Sequence, residues 1–222
     1  MSHSAIDLND HHHTTEAKIT VGFERIAVAL RAMLWQECLS TGISPIQGQI
    51  LIFCLNHPPQ MCRIGHLAKE FSLTKPTISD AVKTLERKEL LIKKNDPEDQ
   101  RSIDLILTEK GIATARQVVT FSDPLRKMVA QLPESQKQQL QLMLAQLTIE
   151  LKEIGVLNAQ RSCVACKHCV VKSNKKQYHC NFYQAKMTLA ELRIDCADFL
   201  VLPNQEKKTA AVEERRRASA TK

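Results

Sequence analysis

The chain has 222 residues, room for one medium domain and a smaller appendage, and its 43% hydrophobic but only 4% aromatic content points to an aliphatic, helical core. No apolar run reaches the roughly 18 residues of a membrane span, so no transmembrane helix is expected, and no membrane partner either. The formal charge of +7 is carried by the last quarter: from Arg161 onward there are 13 Lys+Arg against 6 Asp+Glu, while residues 1–160 hold 18 of each. Bulk basicity therefore says nothing about a nucleic-acid partner, and any such reading rests on local patches.

Residues 1–16 are polar and histidine-rich without the apolar centre of a secretory signal, which predicts a disordered lead-in and a cytoplasmic protein. Residues 17–40 read as a helix, with Phe23, Ile26, Leu30, Met33 and Leu34 at helical spacing, stopped by Thr41-Gly42. Ser44-Pro45 opens a second helix to about Asn56, and His57-Pro58-Pro59 ends it. A short helix over 63–71 and a tight turn at Ser72-Leu73-Thr74 lead into a helix from Lys75 to Lys88. There Ile78, Ala81, Val82 and Leu85 form one apolar stripe, while Asp80, Lys83 and Arg87 face away, flanked by Thr77, Ser79 and Thr84.

Leu90-Leu91-Ile92 reads as a strand, Asp96 to Ser102 as a charged turn, and Ile103–Leu107 as the returning strand, with Ile103, Leu105 and Leu107 as its buried face. Thr108-Glu109 then caps a further helix. A β-hairpin whose tip presents Arg101 beside Asp99 suits a narrow, negative minor groove, and the helix before it suits a major groove. Thr77, Ser79 and Lys83 are the candidates for base or phosphate contact, with Lys75 and Arg87 on phosphates. Two longer helical tracts follow, over 109–131 with a bend at Asp123-Pro124, and from Pro133 to about Ile154. Leu142, Met143 and Ile149 widen the apolar stripe of the last one beyond a single neighbour's reach. With the 17–40 helix it is expected to form a homodimer interface.

The order of these helices, the wing motif Asp96-Pro97-Glu98-Asp99-Gln100-Arg101-Ser102 and the following Leu107-Thr108-Glu109-Lys110-Gly111 resemble the MarR family of bacterial transcriptional regulators over roughly residues 17–155. Thr77-Ile78-Ser79 and Leu85-Glu86-Arg87-Lys88 match as well. The resemblance implies a homodimer on a pseudo-palindromic double-stranded DNA operator, commonly repressing and released by a small-molecule effector or by oxidation. It also implies that Arg101 enters the minor groove, held by Asp99. The fold expected is mainly α with a small β-wing: a winged helix-turn-helix flanked by long dimerisation helices, with a metal-stapled C-terminal module.

That module, over residues 160–200, lies outside the family pattern. Cys163, Cys166 and Cys169 at CxxCxxC spacing precede Cys180 and Cys196, and in a reducing compartment such clustering favours metal over disulfides. Cys163, Cys166, Cys180 and Cys196 are the expected tetrahedral ligands, with Cys169 as the alternative. Zinc is favoured; an iron–sulfur cluster is the alternative, since CxxCxxC also opens ferredoxin-like motifs, although the fourth Cys-Pro is missing here. Cys38, Cys54 and Cys62 read as buried small hydrophobes. Residues 203–222 read as a disordered basic tail. No Gly-rich phosphate loop or acid–base constellation accompanies these elements, so the chain is not expected to be an enzyme. A thiol oxidoreductase built on the cysteines is the rival reading.

Overall fold

The computed structural model describes residues 14–96, 99, 101–157, 161–171 and 177–200. Most of the lead-in, the tail 203–222, and Pro97, Glu98 and Gln100 of the turn lie outside the described residues.

Helix α1 (Thr15–Ser40) starts where the Thr14 side chain accepts from the Ala17 N–H at 3.2 Å. It ends at Gly42, whose φ of +67° a residue with a side chain rarely adopts. At the start of α2 (Pro45–Asn56) the Gln47 amide oxygen accepts from the Ser44 N–H at 3.0 Å, half of a capping box. Helices α3 (Ile64–Glu70) and α4 (Lys75–Arg87) are joined through Ser72, which sits in the left-handed region at φ 52°. Strands β1 (Leu91–Asn95) and β2 (Ile103–Leu107) form an antiparallel ribbon pairing Leu91 with Leu107 and Asn95 with Ile103. Helix α5 (Glu109–Val118) then returns across the ribbon's base.

These elements enclose one aliphatic core built on Ile50, Leu51, Leu67, Ile78, Val82, Leu85, Leu91, Leu105 and Val118, all essentially inaccessible to water. Side chains of this size contribute about 1.5–3 kcal/mol each on burial. At Gly111, a Cβ would stand 1.8 Å from the Leu90 carbonyl oxygen, so only glycine lets α5 pass this close to the turn before β1.

The predicted bend at Asp123-Pro124 is a 3₁₀ turn (Val119–Ser122) leading into α6 (Asp123–Ala130), and α7 (Glu134–Glu153) follows. One sequence expectation is corrected. On β2, Ile103 is 45% exposed and Asp104 is buried instead, because a cation reaches Asp104 from α3. On α1, Phe23 and Ile26 face solvent, and only Leu34 and Cys38 reach the core. Helix α7 likewise buries only Ala145 and leaves Met143, Leu147, Leu151 and Ile154 exposed. No single helix among the described residues is long and apolar enough to cross a membrane.

The C-terminal residues form a three-stranded antiparallel sheet, β3 (Cys169–Val171), β4 (Tyr178–Cys180) and β5 (Ala185–Met187), flanked by 3₁₀ turns at Cys163–Ala165 and Leu189–Glu191. It docks on α7, where Gln141 Nε2 donates to the Leu192 carbonyl at 2.7 Å.

Candidate nucleic-acid interface

The polar side of α4 is available because its apolar stripe is fully committed to the core. Thr74 caps the helix: its Oγ1 accepts from the Thr77 N–H at 3.3 Å and lies 2.8 Å from the Thr77 hydroxyl. Lys75, Thr77, Lys83 and Arg87 are exposed and Ser79 is half-buried, so all five predicted contact residues share the outward face. Lys83 Nζ rests 3.1 Å from Asp80 Oδ1, and Arg87 Nη2 donates to Thr84 Oγ1 at 3.2 Å. Both bonds are exposed, one turn long and readily exchanged for phosphate oxygens. Together with Glu86 these side chains line one shallow open groove along the helix.

Asp99 shapes the wing tip through the backbone: Oδ1 accepts from the Arg101 N–H at 3.1 Å and Oδ2 from the Ser102 hydroxyl at 2.7 Å. The expected hold of Asp99 on Arg101 is thus exerted on the main chain, and the Arg101 side chain is exposed. The exposed Lys94 on β1 adds a wing cation that the sequence reading did not single out.

Arg63, at the N-cap of α3, was also missed, and it fastens the wing to the helix-turn-helix. Its Nε donates to Asp104 Oδ1 at 2.6 Å, Nη1 to Ser102 Oγ at 3.0 Å, and Nη2 to Asp96. The Asp104 hydrogen bond, opposed by burial and assisted by Asp96, raises the guanidinium's pKa. The signal that could have found it is chemical: two acids flank a hairpin whose inner face is dry, and buried carboxylates need a cation.

A second arginine joins the two parts of the molecule. Arg161 holds Glu70 of α3 at 2.6 and 3.0 Å and Asp195 at 2.5 and 3.2 Å, and its guanidinium lies 5.5 Å from the centroid of the Phe53 ring. His57, stacked on Phe53, places Nε2 3.4 Å from Asp195 Oδ2.

Within the C-terminal module all five cysteines are free thiols. Burial pushes Cys163 up, and burial together with the neighbouring Cys163, Cys166 and Cys180 thiols pushes Cys169 up to about 11. The thiols therefore share one electrostatic neighbourhood, and Cys169 faces Cys180 directly across β3 and β4. The Arg193 N–H points at Cys163 Sγ at 3.2 Å and Arg193 Nη1 at Cys196 Sγ at 3.8 Å, donors of the kind that support thiolate sulfur. The donor chemistry fits a soft divalent cation. The side-chain positions do not form a closed cage: among the described residues no three His, Cys, Asp or Glu groups converge on one metal position. His179 Nδ1 is buried without a hydrogen-bond partner among the described residues, and strand alternation turns it away from the face that carries Cys180.

A short helix, a tight turn, an amphipathic helix with a free polar face and an anchored β-ribbon define a winged-helix protein. Residues 41–102 match the profile of the MarR family. The structure is similar to that of a MepR–DNA complex from S. aureus, at 26% identity and a TM-score of 0.52 over 60% of this chain and 97% of that one. MepR from the same organism in its DNA-binding conformation is similar at 25% identity and a TM-score of 0.54, over 60% and 98% of the two chains. A search of curated proteins finds no match. Both of these similar structures belong to proteins that bind DNA.

Proposed function

We propose that this protein is a sequence-specific DNA-binding transcriptional regulator, a repressor that works as a homodimer. The observation that carries the reading is the pairing of α4's exposed polar face with a wing whose base is fixed by Arg63. In this arrangement Thr77, Ser79 and Lys83 meet base edges and phosphates in the major groove, Lys75 and Arg87 hold the backbone, and Arg101 enters the adjacent minor groove. Two-fold pairing is supported by the apolar surface left open on α1 and α7, including Trp35, Leu39, Met143 and Ile154. The test is titration of a duplex from upstream of the protein's own coding sequence. Arg101→Ala is expected to weaken specific binding about tenfold, roughly 1.4 kcal/mol, without lowering the melting temperature. Unchanged affinity would remove the wing from the interface.

A second reading concerns the module. Cys163, Cys166, Cys180 and Cys196 would hold one zinc ion, with Cys169 the alternative ligand and an iron–sulfur cluster the alternative occupant. The metal would supply the folding energy that so small an apolar interior lacks, and its loss or thiol oxidation would modulate DNA binding. What supports this is the shared thiol neighbourhood and the Arg193 donors to sulfur. Elemental analysis of anaerobically purified protein is expected to give one zinc per chain and no visible absorption. A brown protein would replace zinc with an iron–sulfur cluster, and a metal-free one would leave the module without its staple.

A further inference from the structure

The hairpin of β4 and β5 in the C-terminal module has no part in any of these roles. Residues 162–190 hold five lysines and neither Asp nor Glu, whereas residues 1–160 balance 18 cations against 18 acids. Residues 181–184 join the two strands, and they carry Phe182 and Tyr183, which are 52% and 47% exposed. Aromatic rings held in water among cations mark a surface that a partner covers.

The tip is fixed although it is exposed. The Asn181 N–H donates to the His168 carbonyl at 2.8 Å, and Gln184 Nε2 donates to the Asn181 carbonyl at 2.5 Å. Tyr183 donates its hydroxyl to Asp198, and the Arg193 guanidinium lies 4.7 Å from its ring centroid. Phe182 stands edge-on to Tyr183 at 5.0 Å and 5.4 Å from the His168 ring. The ring is thus presented from a rigid base, which lowers the ordering cost of a contact.

The charge around the tip is one-sided. Lys167, next to His168, and Lys186, in the middle of β5, are exposed, and neither forms an ion pair among the described residues. The acids of the module are engaged elsewhere: Glu191 accepts from the Thr188 N–H at 2.6 Å, Asp195 holds Arg161, and Asp198 holds Tyr183. Lys186 pairs in register with His179, so strand alternation places it on the face opposite Cys180. A ligand on Lys186 therefore leaves the thiols undisturbed.

We propose that this hairpin tip is a second DNA contact, in which Lys167 and Lys186 meet phosphates and the Phe182 ring enters a minor groove as an apolar wedge. The partner rests on the DNA-binding reading, and the surface rests on the structure. Lysines alone would suit phosphate only. A rigid, exposed apolar ring is what parts a base step from the minor groove, and duplex DNA offers both chemistries side by side. Arg161 and Glu70 tie the module to α3, so the tip is carried to the duplex with the helix-turn-helix.

The test is the salt dependence of binding by the full-length protein to a duplex from upstream of its own coding sequence. The double substitution Lys167→Gln, Lys186→Gln is expected to lower the slope of log affinity against log salt by about two for each bound chain. Phe182→Ala keeps the slope and lowers affinity about tenfold. Both proteins keep the wild-type melting temperature, and both lose one hydroxyl-radical-protected patch per chain while major-groove protection stays. Lys167→Arg, Lys186→Arg retains the wild-type slope, and so does the matched pair Arg126→Gln, Lys127→Gln on α6. A wild-type slope in the Lys→Gln pair, an equal fall in the α6 pair, or wild-type affinity in Phe182→Ala would overturn the proposal. A Phe182-dependent preference for the separated strands would overturn it too, by assigning the tip to unpaired bases. An upstream duplex bound no better than a scrambled one, with a slope that still depends on the two lysines, would instead overturn the sequence-specific reading and leave this contact standing.

Discussion

Arg63→Ala is expected to produce the largest loss of specific DNA binding of any single substitution outside the contact surface, about thirtyfold or roughly 2 kcal/mol. The side chain links the N-cap of α3 to three groups at the wing's base, and it is itself only 27% exposed. Its removal takes the guanidinium's charge away from the Asp104 and Asp96 carboxylates, 9% and 12% exposed. Two buried like charges then repel, and the hairpin opens to hydrate them. The aliphatic core does not depend on this contact, so the far-ultraviolet circular dichroism stays that of the folded protein. Hydrogen exchange of β1 and β2 accelerates while that of α4 does not. Arg63→Lys restores little, because one ammonium cannot span three acceptors arranged for a guanidinium. An Arg63→Ala protein that binds DNA as wild type would show that the wing holds its position by strand pairing alone.

Arg161→Ala is expected to release the cysteine module from the winged helix. Arg161 is 10% exposed, Glu70 is 16% exposed, and the pair is extended to Asp195 and covered by Phe53. Breaking a desolvated, bidentate pair from one side costs about 3 kcal/mol, chiefly because the remaining carboxylate is left in a poor solvent. Amide protection of Cys163–Val171 and Tyr178–Cys196 therefore drops by about a hundredfold, at 1.4 kcal/mol for each factor of ten, while protection of Ile78–Leu85 is retained. Unaltered protection across the module would mean that its contacts with α7 suffice to hold it. Because Glu70 lies in the helix that precedes the turn to α4, this ion pair ties the segment bearing the cysteines to the helix-turn-helix.

Helix α4 was legible because its stripe of Ile78, Ala81, Val82 and Leu85 obeys the helical period and its polar residues fall on the opposite side. All four apolar residues are buried as that period requires. The wing was legible for a different reason, since Asp96 and Ser102 bracket a turn between two short apolar runs and the structure pairs Asp96 N–H with the Ser102 carbonyl at 3.0 Å. The face of β2 was misread at Ile103 because simple alternation takes no account of a buried carboxylate stabilised by a distant arginine. Arg63 and Arg161 were invisible in the sequence because their partners lie between 33 and 91 residues away, and a lone arginine has no pattern. Strands β3, β4 and β5 were missed because three residues are too few to show an alternation. On α1 the spacing was right, and its open apolar face is the one expected to pair with a second chain. Phe23 and Ile26 belong to a surface that a single chain leaves uncovered.

That uncovered surface and the α4–wing face meet in one claim, that two chains bind one duplex together. The most direct measurement is sedimentation of the protein with its own upstream duplex, combined with hydroxyl-radical protection of the DNA. Two chains per duplex are expected, with two protected major-groove segments centred about 34 Å apart, each flanked by a protected minor groove. One chain per duplex, or protection no different on a scrambled sequence, would contradict it.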